Sequence, residues 1–427
     1  MKEEKLKRLI RILGFVILCF AYLIAYFHRT STAIMAPNLM EEFNLTPEMV
    51  GIFSSMYFYP YMVMQIPSGM MSDRFGTYRI SGLFMLISGG GTFLIAYGGS
   101  FYLAIIGRIF VGIGMACIFV PTLKLIATGF SEKYYLFLSS ALLLCGNFGA
   151  IIGSGFLVTL LTKYGWRNSL GLIGTVTLTL GIILFLIGRG ENKINKESSR
   201  PENKLSVIQG LKVTFPYPGM IPHYIASFFS YGCIMAFQGV WGGAYLMQVL
   251  KFSRETAGSI LMMVGVGIVV VSPFTGWISN YIKSRKKLTV MGAVTISLSL
   301  AFLVFMPFKP TSFNLHIIAL MIGLGIGINS PSKLTQIKET FSSEFTGIAS
   351  GNNNLFTMAG GALIPTLLGY IISRFSEPGL ISKNSLEIAF MLLFIMSIIP
   401  AIATMFTKET FGVNFKVSIL NNGRKIA

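Results

Sequence analysis

Five ionisable side chains fall inside stretches apolar enough to be buried in a bilayer: His28, Arg29, Arg108, Lys124 and Lys333. A charge at such depth is costly unless it faces protein, water or a partner, so each is a candidate for function. Arg29 is the strongest. Its planar guanidinium offers a fixed fork of donors matched to a carboxylate or phosphate. The plain alternative is snorkelling to the nearby interface, since Ala36 and Pro37 follow within two turns. Lys124 follows Pro121 and Lys333 follows Pro331, one in each half of the chain. Such a basic pair could hold an anion, or simply reach towards lipid phosphates. No acid lies equally deep: Glu48, Glu255, Glu339 and Glu344 sit at expected helix ends, where capping accounts for them.

Neutral polar residues extend the candidate site. Tyr57, Tyr61 and Gln65 recur at i, i+4 and i+8 and so share one helix face. That stripe is unfavourable against lipid and is expected to face protein or water. Asn147, Gln238, Trp241, Asn329 and the run Asn352, Asn353, Asn354 are further candidates to line a substrate cavity, though any one could instead bond helix to helix. No nucleophile–base pair, metal-ligand cluster or phosphate-cradling loop is evident at useful spacing. The expectation is a protein that is not an enzyme and uses no cofactor.

The elements that must position these residues are membrane helices. The chain is 53% apolar and only 12% charged, with a mean hydropathy of +0.70, which places it in the polytopic class. The formal charge of +18 does not imply a nucleic-acid partner, because the basic residues cluster in alternate loops. One side carries Lys2, Lys5, Lys7, Arg8 and Arg11, then Arg74 and Arg79, the run Arg189–Lys212, the group Lys283–Lys287 and the tail. The other carries few, among them Lys163, Arg167, Lys251 and Arg254. By the positive-inside rule both termini are expected in the cytoplasm. Cys19, Cys117, Cys145 and Cys233 fall within expected helices without metal or redox spacing and read as packing residues.

One stretch repeats. Glu48, Gly51, Gly69 and Asp73 recur 207 positions later as Glu255, Gly258, Gly276 and Asn280, each set preceded by an N-capping hydroxyl, Thr46 or Ser253. Gly112 and Gly114 likewise return as Gly323 and Gly325. The pattern predicts an all-α polytopic membrane protein, with twelve transmembrane helices in two pseudo-symmetric six-helix bundles. The expected divisions are a first bundle at 1–188, a linker at 189–220, a second bundle at 221–408 and a tail at 409–427. The first helix is expected to end at Pro37, with Asn38–Pro47 as an external loop.

The run from Gly69 to Arg79 resembles the signature between helices 2 and 3 of the major facilitator superfamily, through Gly69, Asp73, Arg74, Gly76 and Arg79. The second copy keeps Gly276, has Asn280 for the acid, and ends in Arg285, Lys286 and Lys287. The resemblance implies a secondary transporter working by alternating access, with this signature as its gating motif. GRIFVGIG around Arg108 is similar to the family's fourth helix, where an Arg lies under the cavity and bonds to the backbone of helix 1. The resemblance is greatest to the organic anion symporters, which carry a substrate-facing Arg at the position of Arg29. Those symporters often have acids where this chain has His28 and Met115. A carboxylate proton relay is therefore not expected. His28 could titrate instead, or one anion could exchange for another. The expected partners are a small carboxylate-bearing solute, H+ or a counter-anion, and the lipid bilayer, with the protein a monomer in a bacterial inner membrane. The rival readings are an amino-acid or other nutrient importer, a drug exporter (for which a cavity acid would be expected) and a membrane sensor without transport.

Overall fold

The computed structural model describes residues 2–131, 134–191, 207–306, 310–376 and 381–413, which are helical almost throughout and contain no β-strand. Ten helices are long and apolar enough to cross a membrane. One of them, Phe137–Arg189, folds back at Gly165, whose φ of 74° reverses the chain, and so makes two crossings. A further crossing is interrupted at Met64 and so falls short of the length required of a single helix. The described chain therefore forms twelve crossings.

In order these are α1 (Lys2–Phe43), α2 (Pro47–Val63, resumed as Gln65–Phe75), α3 (Thr77–Tyr97) and α4 (Phe101–Gly129). The next two are α5, from Tyr135–Ile151 through the π-helical Ile152–Phe156 to Gly165, and α6, which runs from there to Glu191. The second half holds α7 (Ile221–Ile234, continuing to Val249 with π-helical turns) and α8 (Arg254–Val271, then Ser272–Phe274 and Thr275–Ile282). It closes with α9 (Arg285–Phe305), α10 (Ser312–Thr340), α11 (Ser343–Arg374) and α12 (Lys383–Met405).

Pro37 does not end α1. The helix continues to Phe43 with Pro37 inside it, so the expected external loop shrinks to Asn44–Thr46. Packing decides this. Leu39 is buried, Phe43 sits edge-on to Trp166, and Glu42 accepts from Trp166 Nε1 at 2.9 Å and pairs with Arg167. Those contacts outweigh the one hydrogen bond a proline removes. The turn then closes on Asn44, which takes the left-handed conformation at φ 51°, as residues just past a helix end often do. The linker falls largely on 192–206, outside the described residues. Its end, Val207–Thr214, is a short helix fixed to α11 by a bond from Asn352 Nδ2 to Thr214 Oγ1 at 2.9 Å. Of the tail, residues 414–427 also lie outside the described part.

The repeat governs the local geometry. Thr46 caps α2 through Met49 N at 3.3 Å, and Ser253 caps α8 through Thr256 N at 3.2 Å. Both helices break midway, at Met64 and at Ser272–Phe274. Small residues bring helices into backbone contact in matched pairs. A Cβ on Gly149 would fall on Leu23 O of α1, and one on Gly360 would fall on Phe228 O of α7.

The halves meet along α2 with α11 and along α5 with α8, and the seam is uneven. Away from the chain termini it is tight. A Cβ on Gly51 would stand 3.0 Å from Thr366 Cα, and Thr366 Oγ1 bonds Gly51 O at 3.1 Å. Within the second half Trp241 Nε1 donates to Pro365 O at 2.8 Å and so fixes α11 at this contact, and Arg254 reaches across the seam to Ile34 O at 2.7 Å and to Asn38. Towards the termini the seam loosens: Asn354 Nδ2 meets Gln65 Oε1 at 3.3 Å, but a Cβ on Gly347 or Gly351 would touch nothing within 4 Å. The halves form a wedge that is closed at the face opposite the termini.

Candidate functional site

At the apex of the wedge stands Arg29, 3% exposed. Tyr22, Tyr26 and Arg29 follow at i, i+4 and i+7, so α1 points all three at the seam. Arg29 Nε donates to Tyr57 OH and its NH1 to Tyr231 OH, both at 3.3 Å. The guanidinium carbon lies 4.4 Å from the Tyr26 ring centre and 4.8 Å from that of Tyr61, within cation–π range. Tyr57 and Tyr61 stack on each other at 5.7 Å, and Tyr57 OH is anchored on Ala25 O at 3.2 Å. Among the described residues every contact of this cation is neutral. The cage joins both halves, because Tyr231 comes from α7.

Arg108 is placed differently. It donates to His28 O at 2.8 Å and to Thr32 Oγ1 at 3.0 Å, bracing α4 against α1, with its Nε unpartnered. His28 is adjacent to Arg29 in sequence and so about 100° away around the helix. Its Nε2 lies 3.4 Å from Thr92 Oγ1 of α3, inside its own half and away from the cage.

The other candidates divide between the seam and the scaffold. Gln65 pairs with Asn354 below the cage and leaves its Nε2 unpartnered. Asn353 Oδ1 accepts from Ser227 Oγ at 2.7 Å. Trp241, as described, locks α7 to α11. Gln238 donates to Leu261 O of α8 at 3.3 Å, and Asn329 to Thr289 O of α9 at 2.8 Å. Among the described residues Asn147 bonds only Leu143 O of its own helix, at 2.9 Å. Lys124 donates to Ser72 O at 3.0 Å, so it holds the end of α2 and does not join Arg29. Lys333 is buried on α10.

In the glycine-rich turn, Gly76 adopts φ 88° and ψ 149° and directs the chain from α2 into α3. A Cβ on Gly69 would meet Val120 Cγ1 at 3.5 Å, an ordinary contact. Arg74 lies over the Phe75 ring at 5.2 Å, Arg79 is exposed, and the Asp73 side chain lies outside the described part. Ser72 Oγ bonds Thr77 Oγ1 at 3.1 Å across the turn.

Sequence reasoning missed Tyr26, Tyr231 and His223. Tyr26 stands three residues before Arg29 and Tyr231 seven before Gln238, helical spacings that would have put each on a face already under scrutiny.

A wedge of two similar six-helix halves with a buried cation at the seam between them is the architecture of a carrier, and the family comparison agrees. The model of the Major Facilitator Superfamily matches residues 18–365. The chain belongs to that superfamily. It is a secondary transporter and not an enzyme. A probable sulfoacetate transporter of Cupriavidus necator is 23% identical over 426 residues, 96% of each chain. A chloroplastic ascorbate transporter of Arabidopsis thaliana is 23% identical over 385 residues, 84% of this chain and 69% of its own. Among solved structures, a bacterial homologue of the human lysosomal transporter Spinster, crystallised inward-facing and unoccupied, superposes with a TM-score of 0.76. The two share 17% identity over 93% of this chain and 97% of the other.

Proposed function

We propose that this transporter carries a small organic anion and that Arg29 is its anchor. The observation that carries the reading is the neutral tyrosine cage. A buried guanidinium held by two phenols at 3.3 Å has bonds longer than the 2.7–2.9 Å typical of a charge-assisted pair. An incoming carboxylate or sulfonate therefore replaces weak partners with strong ones. The names of the relatives, which refer to sulfoacetate and ascorbate, support the same class of solute. The test is equilibrium binding of a panel of organic acids, including those two, to wild type, Arg29→Ala and Arg29→Lys. Loss of the guanidinium is expected to weaken binding by roughly 30- to several-thousand-fold, with partial recovery in Arg29→Lys. Arg29→Ala binding as tightly as wild type would end the reading.

The distribution of basic loops supports a cytoplasmic position for the terminus-bearing face, in a bacterial inner membrane. In this reading 1–188 and 221–408 are the moving bundles, 189–220 joins them, 409–427 is a tail, and the protein acts as a monomer. Exchange against a counter-anion is favoured over H+ symport: His28 sits on Thr92 rather than beside Arg29, and the sequence places no acid deep in a span.

A further inference from the structure

Helix α7 carries a second polar face nearer the termini than Tyr231. His223, Ser227 and Ser230 recur at i, i+4 and i+7 and are all buried. His223 Nδ1 and Ser230 Oγ make no hydrogen bond, while Ser227 is tied to Asn353 of α11. Lys333 of α10 is 6% exposed, and its ammonium makes no hydrogen bond or ion pair among the described residues. The two basic side chains are near enough to interact electrostatically. An apolar clamp fixes the arrangement. Met220, in the turn before α7, and Tyr224 of α7 pack with Ile337 of α10, with Phe341 just past its end, and with Phe345 and Ala349 of α11. His223 lies between the first pair in sequence, and Lys333 lies one turn before Ile337.

Two basic groups buried together with unpartnered polar atoms, and with no acid among the described residues beside them, are an expensive arrangement for stability alone. We propose that Lys333, His223 and the Ser227–Asn353 pair form a second anion-binding station, separate from Arg29, for a carboxylate, sulfonate or phosphate group. This rests on the anion reading above. Eight residues of α-helix separate His223 from Tyr231, about 12 Å of rise, which is beyond the reach of a two-carbon dianion. The two stations are therefore occupied in turn, or by two ions, and a single small solute does not bridge them. The compact ammonium also lacks the planar fork of Arg29, so this station discriminates less among oxyanions and suits a holding point on the way to the termini side.

The protein has only three histidines, so 15N-imidazole NMR in nanodiscs resolves the site directly, with His223→Gln assigning its signals. Sulfoacetate and inorganic phosphate serve as probes, and total binding is followed by calorimetry. Both anions are expected to move the His223 resonances in wild type and also in Arg29→Ala. In Lys333→Gln the concentration needed should rise by roughly 30-fold or more, while Lys333→Arg retains the response. Lys333→Gln should still bind sulfoacetate through Arg29. If wild type binds anion with His223 unmoved, or Lys333→Gln responds like wild type, the station is overturned and the Arg29 reading stands. If wild type binds neither probe, both fall together.

Discussion

Gly76 and Lys283, 207 residues apart, close the same helix in the two halves, both with positive φ, at 88° and 53°. The halves reach this stop with different backbone demands. Gly76 has ψ 149°, a region nearly confined to glycine, and Lys283 has ψ 38°, the left-handed conformation that other residues tolerate. Gly76→Ala is expected to cost roughly 1–3 kcal/mol and to lower the thermal midpoint in detergent. In Lys283→Gly the relieved strain, roughly 1 kcal/mol, is offset by a similar loss of chain entropy, so the midpoint should barely move. Equal effects at the two positions would contradict this asymmetry.

The two buried arginines should separate stability from binding. Arg108 makes short bonds to His28 O and Thr32, and Arg108→Met is expected to cost about 2–3 kcal/mol. Arg29 has only long bonds to phenols, so Arg29→Met should leave the midpoint unchanged or raise it while abolishing anion binding at the tyrosine cage. Thermal shift and binding on the same samples decide it; a large destabilisation by Arg29→Met would mark Arg29 as part of the scaffold.

The tight end of the seam depends on Gly51. A valine there would meet Thr366 Cα and Pro365 O at 3.0 and 3.2 Å, in backbone that cannot yield. Gly51→Val should hold that face apart. A cysteine at Ala33, which lies under Gly243, should then react faster with a maleimide reagent added on that side, in a background lacking the four native cysteines. Unchanged labelling would mean that the α2–α11 contact does not control closure.

Acid should loosen the opposite face. Burial alone would raise the Glu409 carboxyl, but bonds from the Ser284 hydroxyl and from the backbone N–H of Phe411, Arg285 and Thr410 hold it below its ordinary 4.5. A depressed value means the carboxylate contributes stability above pH 4.5 and loses that contribution as pH falls through its folded value. Thermal midpoints should decline below pH 4.5, and Glu409→Gln should flatten that part of the curve. A parallel decline in the variant would assign the effect to other carboxyls.

The repeat, the helix count and the face shared by Tyr57, Tyr61 and Gln65 were legible because each is a periodicity, and helical geometry converts periodicity into position. The partners were not. Lys124 bonds a backbone carbonyl, which every residue possesses, so no pattern of side chains could reveal it. Tyr231 is one of 17 tyrosines and becomes distinctive only where α7 crosses α1. Pro37 misled because the local rule for proline was outweighed by the contacts of Leu39, Glu42 and Phe43, which lie far apart in sequence from their partners.

Arg29 is fixed in α1 with no carboxylate beside it among the described residues, so the carrier's charge differs between its loaded and its empty form. A monovalent anion cancels one positive charge, and only an empty crossing carries that charge through the membrane voltage. A field of 100 mV acts on one charge with up to about 2.3 kcal/mol, enough to hold back the empty crossing while sparing the loaded one, which favours exchange. Transient currents should therefore come from unloaded protein, fade as anion saturates it, and be absent in Arg29→Met.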